Sequence, residues 1–168
     1  MVKQLVHAFT FVQAIPYKCR AELIDGNGVS TNIPYANCRQ KRDLLKRSFE
    51  SLGYKTKELD AIFDWTDLPL PGYILKILKK SGTKQKHHLL EVKVNDKCIK
   101  IDPTWNLELR DKGFPITVSW NGETDTKQVS FGRIIYYDPK IQRVTLLYFP
   151  EERENFTREF NKWIGWKY

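Results

Sequence analysis

Long apolar runs are missing from this chain. Its apolar stretches are short ones such as Leu146-Leu147-Tyr148-Phe149, far below the ~20 residues that a membrane-crossing helix needs. No membrane partner is expected. The first residues, Met1-Val2-Lys3-Gln4-Leu5-Val6-His7, carry no sustained apolar stretch behind the lysine and do not read as a secretory signal. Cysteine is scarce and odd in number: Cys19, Cys38 and Cys98 are too few and too scattered for a disulfide framework. These absences imply a reducing, cytoplasmic setting in which each thiol needs its own explanation. CxxC and CxxH pairs are also lacking, and His87-His88 with Cys98 is too sparse for a zinc site, so neither metal nor cofactor is expected. Without internal repeats, low-complexity tracts or Gly/Ser linkers, residues 1–168 read as one domain.

What is present suits a folded core. Apolar residues make up 41% of the chain and aromatics 13%, which excludes wholesale disorder. The net charge of +8 is unevenly spread: residues 1–100 hold 18 Lys and Arg against 10 Asp and Glu, and residues 101–168 hold 10 of each. The excess is concentrated in Arg39–Lys57 and Lys76–Lys100. Such a face attracts nucleic acid, an anionic surface or an acidic substrate, or it is simply solvated. Aromatics are not interleaved with the basic runs as a nucleic-acid stacking platform requires, and RNA-recognition and zinc-finger signatures are absent.

Leu5, Val6, Phe9 and Val12 have helical spacing, and Ile15-Pro16-Tyr17 ends that helix because proline pushes its predecessor out of the helical region. Residues 18–34 read as an irregular connection with turn signals at Asp25-Gly26-Asn27-Gly28. Asn37 is a good N-cap and Gly53 a good terminator for a helix that carries Leu44, Leu45, Phe49 and Leu52 on one stripe. Cys38 opens that helix on its apolar side. Strands are predicted over 54–63, 87–94 and 97–102, with Asn95-Asp96 as a hairpin turn. A short helix is predicted over 73–80, further strands over 128–137 and 143–149, and a closing helix over 151–163. The result is an α+β domain, with N-terminal helices packed on an antiparallel β-sheet.

Three residue types then stand together: a cysteine at a helix start, a histidine on a strand, and an aspartate ending the next strand. A thiol nucleophile is favoured by the helix dipole and free N–H groups. It needs a histidine to take its proton, and the histidine needs a carboxylate to fix its tautomer. Cys38, one of His87 and His88, and Asp102 fill these parts. If Asn95 and Asp96 form a two-residue turn, Val94 faces Lys97 and Leu89 faces Asp102. His87 is then a diagonal neighbour of Asp102 on the same face, and His88 points to the other, apolar side.

The elements Asn37-Cys38-Arg39, Leu44-Leu45, Leu52-Gly53-Tyr54, His87-His88-Leu89-Leu90-Glu91-Val92 and Ile101-Asp102-Pro103-Thr104-Trp105 resemble the transglutaminase-like superfamily, with its papain-like Cys-His-Asp organisation. Ile15-Pro16-Tyr17 is similar to the Ile/Val-x-Tyr element found upstream of the family's cysteine. The spacing of the histidine from Glu-Val puts the family histidine on His87. The family's Gly-x-Cys is Tyr35-Ala36-Asn37-Cys38 here, its usual aromatic after the histidine is Leu89, and its tryptophan before the aspartate strand is Cys98.

The resemblance implies a cysteine-dependent amide hydrolase or acyl transferase acting on a peptide or protein amide, by proteolysis, deamidation or cross-linking. The alternative is a non-catalytic binding module of the same fold whose basic surface holds nucleic acid or an acidic protein. The backbone N–H of Cys38 and the side chains of Gln13 and Asn37 are candidate oxyanion donors, although Gln13 also suits an exposed helix face and Asn37 simple capping. Trp65, Trp105 and Trp120 suit either a cleft wall or the core. Cys98 reads as a small apolar filler.

Overall fold

The computed structural model describes residues 2–20 and 34–167. The turn-rich stretch around Asp25-Gly26-Asn27-Gly28 lies outside the described residues. Helix α1 (Val2–Ala14) buries Leu5, Phe9 and Val12 along one stripe and stops where Ile15 meets Pro16. Helix α2 (Cys38–Ser51) starts with a complete capping box. The Asn37 side chain accepts the Gln40 N–H, and the Gln40 side chain accepts the Asn37 N–H. It ends at Leu52-Gly53, where Gly53 takes φ +84° and the Tyr54 N–H returns to the Phe49 carbonyl, a backbone turn that favours glycine.

The sheet has four antiparallel strands in the order β3-β2-β1-β4: β1 (Thr56–Asp64), β2 (Lys84–Val94), β3 (Lys97–Ile101) and β4 (Ile135–Tyr137). The β2–β3 turn has two residues, with Val94 opposite Lys97. Asn95 and Asp96 both adopt positive φ, 46° and 64°, as the tightest hairpins require. Helix α3 (Gly72–Ser81) bridges β1 to β2, and α4 (Pro150–Ile164) packs against α3.

Apolar residues form two main clusters. One joins α1 and α2 to β2 and β3 through Leu5, Phe9, Leu45, Phe49, Leu90 and Ile101. The other is aromatic and joins α3 and α4 to the loops after β1 and β3 through Phe63, Trp65, Trp105, Phe114, Phe156 and Phe160.

The strands expected over 128–137 and 143–149 shrink to Ile135–Tyr137. Local side-chain bonds take up the backbone of the first stretch, with the Gly132 N–H going to Ser130 Oγ. In the second, Leu147 and Phe149 face outward, so no apolar face holds a strand there. Among the described residues, no helix is long and apolar enough to cross a membrane.

Candidate active site

The segment Ile15-Pro16-Tyr17 lies beside the residues that lead into α2. Tyr17 and Ala36 form a parallel bridge, with the Lys18 N–H donating to the Ala36 carbonyl and the Ala36 N–H to the Pro16 carbonyl. This fixes the chain just before Cys38, the first residue of α2, where unpaired backbone N–H groups and the helix dipole favour negative charge. Cys38 is half-buried, packs against the aromatic cluster and lines a cleft of about 210 Å³.

His87 reaches that cleft from β2. It is 2% exposed, and Nε2–H donates to Asp102 Oδ2 at 2.8 Å. Cys38 lines the same cleft and acts electrostatically on the same ring. Since Asp102 occupies Nε2, the nitrogen left for the sulfur is Nδ1. Burial works against a charged ring, but the Asp102 carboxylate and Cys38 outweigh it and push the His87 pKa up to about 10. Asp102 is itself held on both sides. Its N–H donates to Thr126 Oγ1 at 2.8 Å, and its Oδ1 accepts the Thr104 N–H at 3.1 Å. Phe63 meets the His87 ring edge-on at 6.0 Å. The structure therefore brings the sequence-derived trio together: His87 and Asp102 form a buried hydrogen-bonded pair, and half-buried Cys38 lines the same cleft as His87.

Behind this line sits a residue that the charge pattern concealed. Lys41, one turn after Cys38, is fully buried. Its Nζ donates to the carbonyls of Gln13 (3.1 Å), Pro103 (3.2 Å) and Thr104 (2.9 Å). Three acceptors match the three N–H groups of an ammonium. Burial opposes that charge, and although Asp102 and Glu108 favour it, the pKa is drawn down to about 7. Lys41 thereby ties the end of α1 and the Asp102-Pro103-Thr104 turn to the helix that carries the cysteine. Arg42, also read as part of a basic face, is 5% exposed and pairs with Asp43, Glu58 and Asp60. Of the cations flanking the trio in sequence, Arg39 and Lys86 are the ones that line the cleft.

Other expectations are corrected. Gln13 is buried and is not on the cleft; its Nε2 donates to the Thr117 carbonyl at 3.0 Å, so it is no oxyanion donor. Asn37 borders the cleft while its side-chain oxygen caps α2. Trp105 lines the cleft with its ring and anchors Nε1 on the Val129 carbonyl at 2.8 Å. Trp65 likewise serves both cleft and core, whereas Trp120 packs between Phe9 and Phe49 in the other cluster. His88 does not meet an apolar surface: its register partner is Asp60, and Nδ1–H donates to Asp60 Oδ1 at 2.7 Å. Cys98 is exposed rather than filling the core.

The sequence reading missed the part of the lining made by Tyr17, Cys19, Tyr148 and Arg153. It also missed Thr104 Oγ1, a buried hydroxyl without a hydrogen-bond partner on a residue that lines the cleft. Such an orphan is costly unless something else satisfies it. Among the described residues, no group of three or more His, Cys, Asp and Glu side chains is arranged to hold a metal ion.

Comparison with protein-family models, with curated proteins and with solved structures finds no match. The chemistry is therefore inferred from the chain's own geometry.

Proposed function

We propose that the protein is a cysteine-dependent amide hydrolase or acyl transferase with a transglutaminase-like arrangement of helices on an antiparallel sheet. The observation that carries this reading is His87, buried, bonded to Asp102 and lining the same cleft as Cys38 at the start of α2. Cys38 Sγ attacks the amide carbonyl and forms a tetrahedral adduct. The imidazolium of His87 then donates its proton to the leaving nitrogen, and a thioester remains. Water or a second amine attacks the thioester, with His87 now accepting the proton, and Cys38 is released. Asp102 keeps the ring oriented and stabilises its charged form. The Cys38 backbone N–H and the unpartnered Thr104 hydroxyl are suited to receive the developing oxyanion. The expected substrate is a peptide or protein amide.

The test is formation of hydroxamate from a blocked glutaminyl-glycine peptide and hydroxylamine, with ammonia release followed in parallel. Wild-type protein is expected to form product and Cys38→Ala and His87→Ala to form none. Product at wild-type levels from Cys38→Ala would overturn the assignment. Ammonia release without a nucleophilic acceptor would identify hydrolysis as a reaction of the same site.

A further inference from the structure

Among the described residues, the cleft that holds Cys38 and His87 is lined by four basic side chains, Arg20, Arg39, Lys86 and Arg153, and by no aspartate or glutamate. Arg153 is the unusual one. It projects from the first turns of α4, is 2% exposed, and still borders the cavity. One N–H donates to the Gly82 carbonyl at 3.2 Å and another to Gln85 Oε1. Its plane lies over the rings of Tyr148 (4.6 Å) and Phe156 (5.1 Å). All these neighbours are neutral. The remaining groups that feel its charge are Cys19, Tyr17 and the like-charged Arg20. Cys19 and Tyr17 are driven toward their protonated forms by burial, so neither supplies a counter-charge. Among the described residues, no carboxylate pairs with Arg153.

A guanidinium taken out of water without a counter-ion is unfavourable, and with five donors it has N–H groups beyond the two engaged. A residue lining the same cavity, Thr104, carries a second orphan, a buried hydroxyl with no hydrogen-bond partner. Cys38 and Arg153 line the same cavity, together with Cys19 and the aromatic residues Tyr17, Trp65 and Trp105.

We propose that Arg153 is an anion subsite of this cleft and that the acyl donor places a carboxylate against it. The proposal rests on reading Cys38 as the nucleophile, and it names the substrate class, an acidic peptide. The carboxylate belongs either to an acidic side chain next to the reacting carbonyl or to a free C-terminus. A planar, two-pronged guanidinium matches a carboxylate in geometry as well as charge, and the enclosed position keeps that pair from being screened as a surface pair is.

Three alkylating reagents test it: N-iodoacetyl-glutamine amide, N-iodoacetyl-glutamate α-amide, and N-iodoacetyl-glutamine with a free α-carboxylate. Each labels a thiol by displacing iodide, and mass spectrometry reads the rate at Cys38 against the exposed Cys98. Wild-type Cys38 is expected to prefer one of the two acids over the neutral reagent by about tenfold, the scale of one charge-assisted contact. Which acid gains identifies the source of the carboxylate. The preference is expected to survive 0.5 M salt, to fall to about parity in Arg153→Gln, and to persist in part in Arg153→Lys. Equal labelling by all three reagents in wild type, or a preference unchanged in Arg153→Gln, would overturn the subsite. So would an Arg153→Gln loss that slows all three reagents alike, which is what a purely structural role predicts.

Failure of the nucleophile reading looks different, because Cys38 would then react no faster than Cys98 with any reagent. The subsite is decided in that event by the fluorescence of Trp65 and Trp105 in Cys38→Ala. A saturable change with an N-acetylated acid of the preferred type, absent with N-acetyl-glutamine amide and lost on adding Arg153→Gln, supports it. No such change overturns it.

Discussion

The wall that carries Cys38 and His87, with Asp102 behind it, is drawn from residues 37–102, whereas the rest of the lining joins the two ends of the chain. Cys19 and Asn161 exchange two hydrogen bonds, of 2.9 and 3.0 Å, and Trp166 Nε1 donates to the Tyr17 carbonyl at 2.8 Å. The first wall is set by a helix cap, a two-residue hairpin and polar contacts of fixed direction. The second is set by ring packing, with Trp65 and Phe160 at 4.9 Å and Tyr17 and Trp105 at 4.7 Å. Directional bonds hold the Cys38, His87 and Asp102 side chains to a narrow geometry. Packing holds only the shape of the space around them, and on the proposed function that is where selectivity for a substrate would be built.

The sharpest way to separate the walls is to weaken one. Phe160 is fully buried in the aromatic cluster, and Phe160→Ala is expected to cost about 4 kcal/mol in urea denaturation. Cys38 alkylation under native conditions should persist, because the core that holds α1, α2, β2 and β3 together is the other cluster, even though Cys38 itself packs on the aromatic one. Loss of that reactivity in a protein still folded by circular dichroism would mean the walls are one cooperative unit.

Lys41→Met attacks the other wall and should cost about 3 kcal/mol, since three buried carbonyls lose their donor. Its pH signature is more telling. The His87 pKa is raised from 6.5 to about 10, so its contribution to stability is complete below 6.5 and is lost as pH rises toward 10. The Lys41 pKa is lowered from 10.5 to about 7, so the unfolded chain binds more protons in that range and stability grows as pH rises. Between about pH 7 and 10 the two slopes oppose each other. Wild-type stability should change little there, and Lys41→Met should lose stability steadily. A Lys41→Met profile parallel to wild type would contradict the assignment of either group.

The smallest effect belongs to His88→Ala. It removes one partly buried contact to Asp60, at about 1 kcal/mol, and should leave Cys38 alkylation as it was. A large loss of reactivity would mean that His88, and not His87, serves the thiol.

The wall that carries Cys38 and His87 was legible because its determinants are local. Positive φ at Asn95 and Asp96 fixes the hairpin register, and the register alone selects His87 over His88. Asn37 announces the start of α2. Lys41 and Arg42 were misread because a charge on a helix is taken to face water. Here the non-ladder carbonyls of Gln13, Pro103 and Thr104 needed a donor, and Asp60 with Glu58 needed a cation, so both side chains turned inward. Gln13 turned away from the cleft for a similar reason, to serve the Thr117 carbonyl. Arg153 carried no local signal at all: its importance depends on a cavity wall assembled from segments remote in the chain.

The central claim is that His87 activates Cys38, and the pH dependence of iodoacetamide labelling tests it most directly, with the exposed Cys98 as internal reference. Wild-type Cys38 should stay reactive at about pH 6.5, where an ordinary thiol with pKa ~8.5 is about 1% ionised. In His87→Ala, the rate at that pH should fall about hundredfold and recover only as the solution approaches pH 8.5. A wild-type Cys38 that follows the same curve as Cys98, with no change in His87→Ala, would contradict the account.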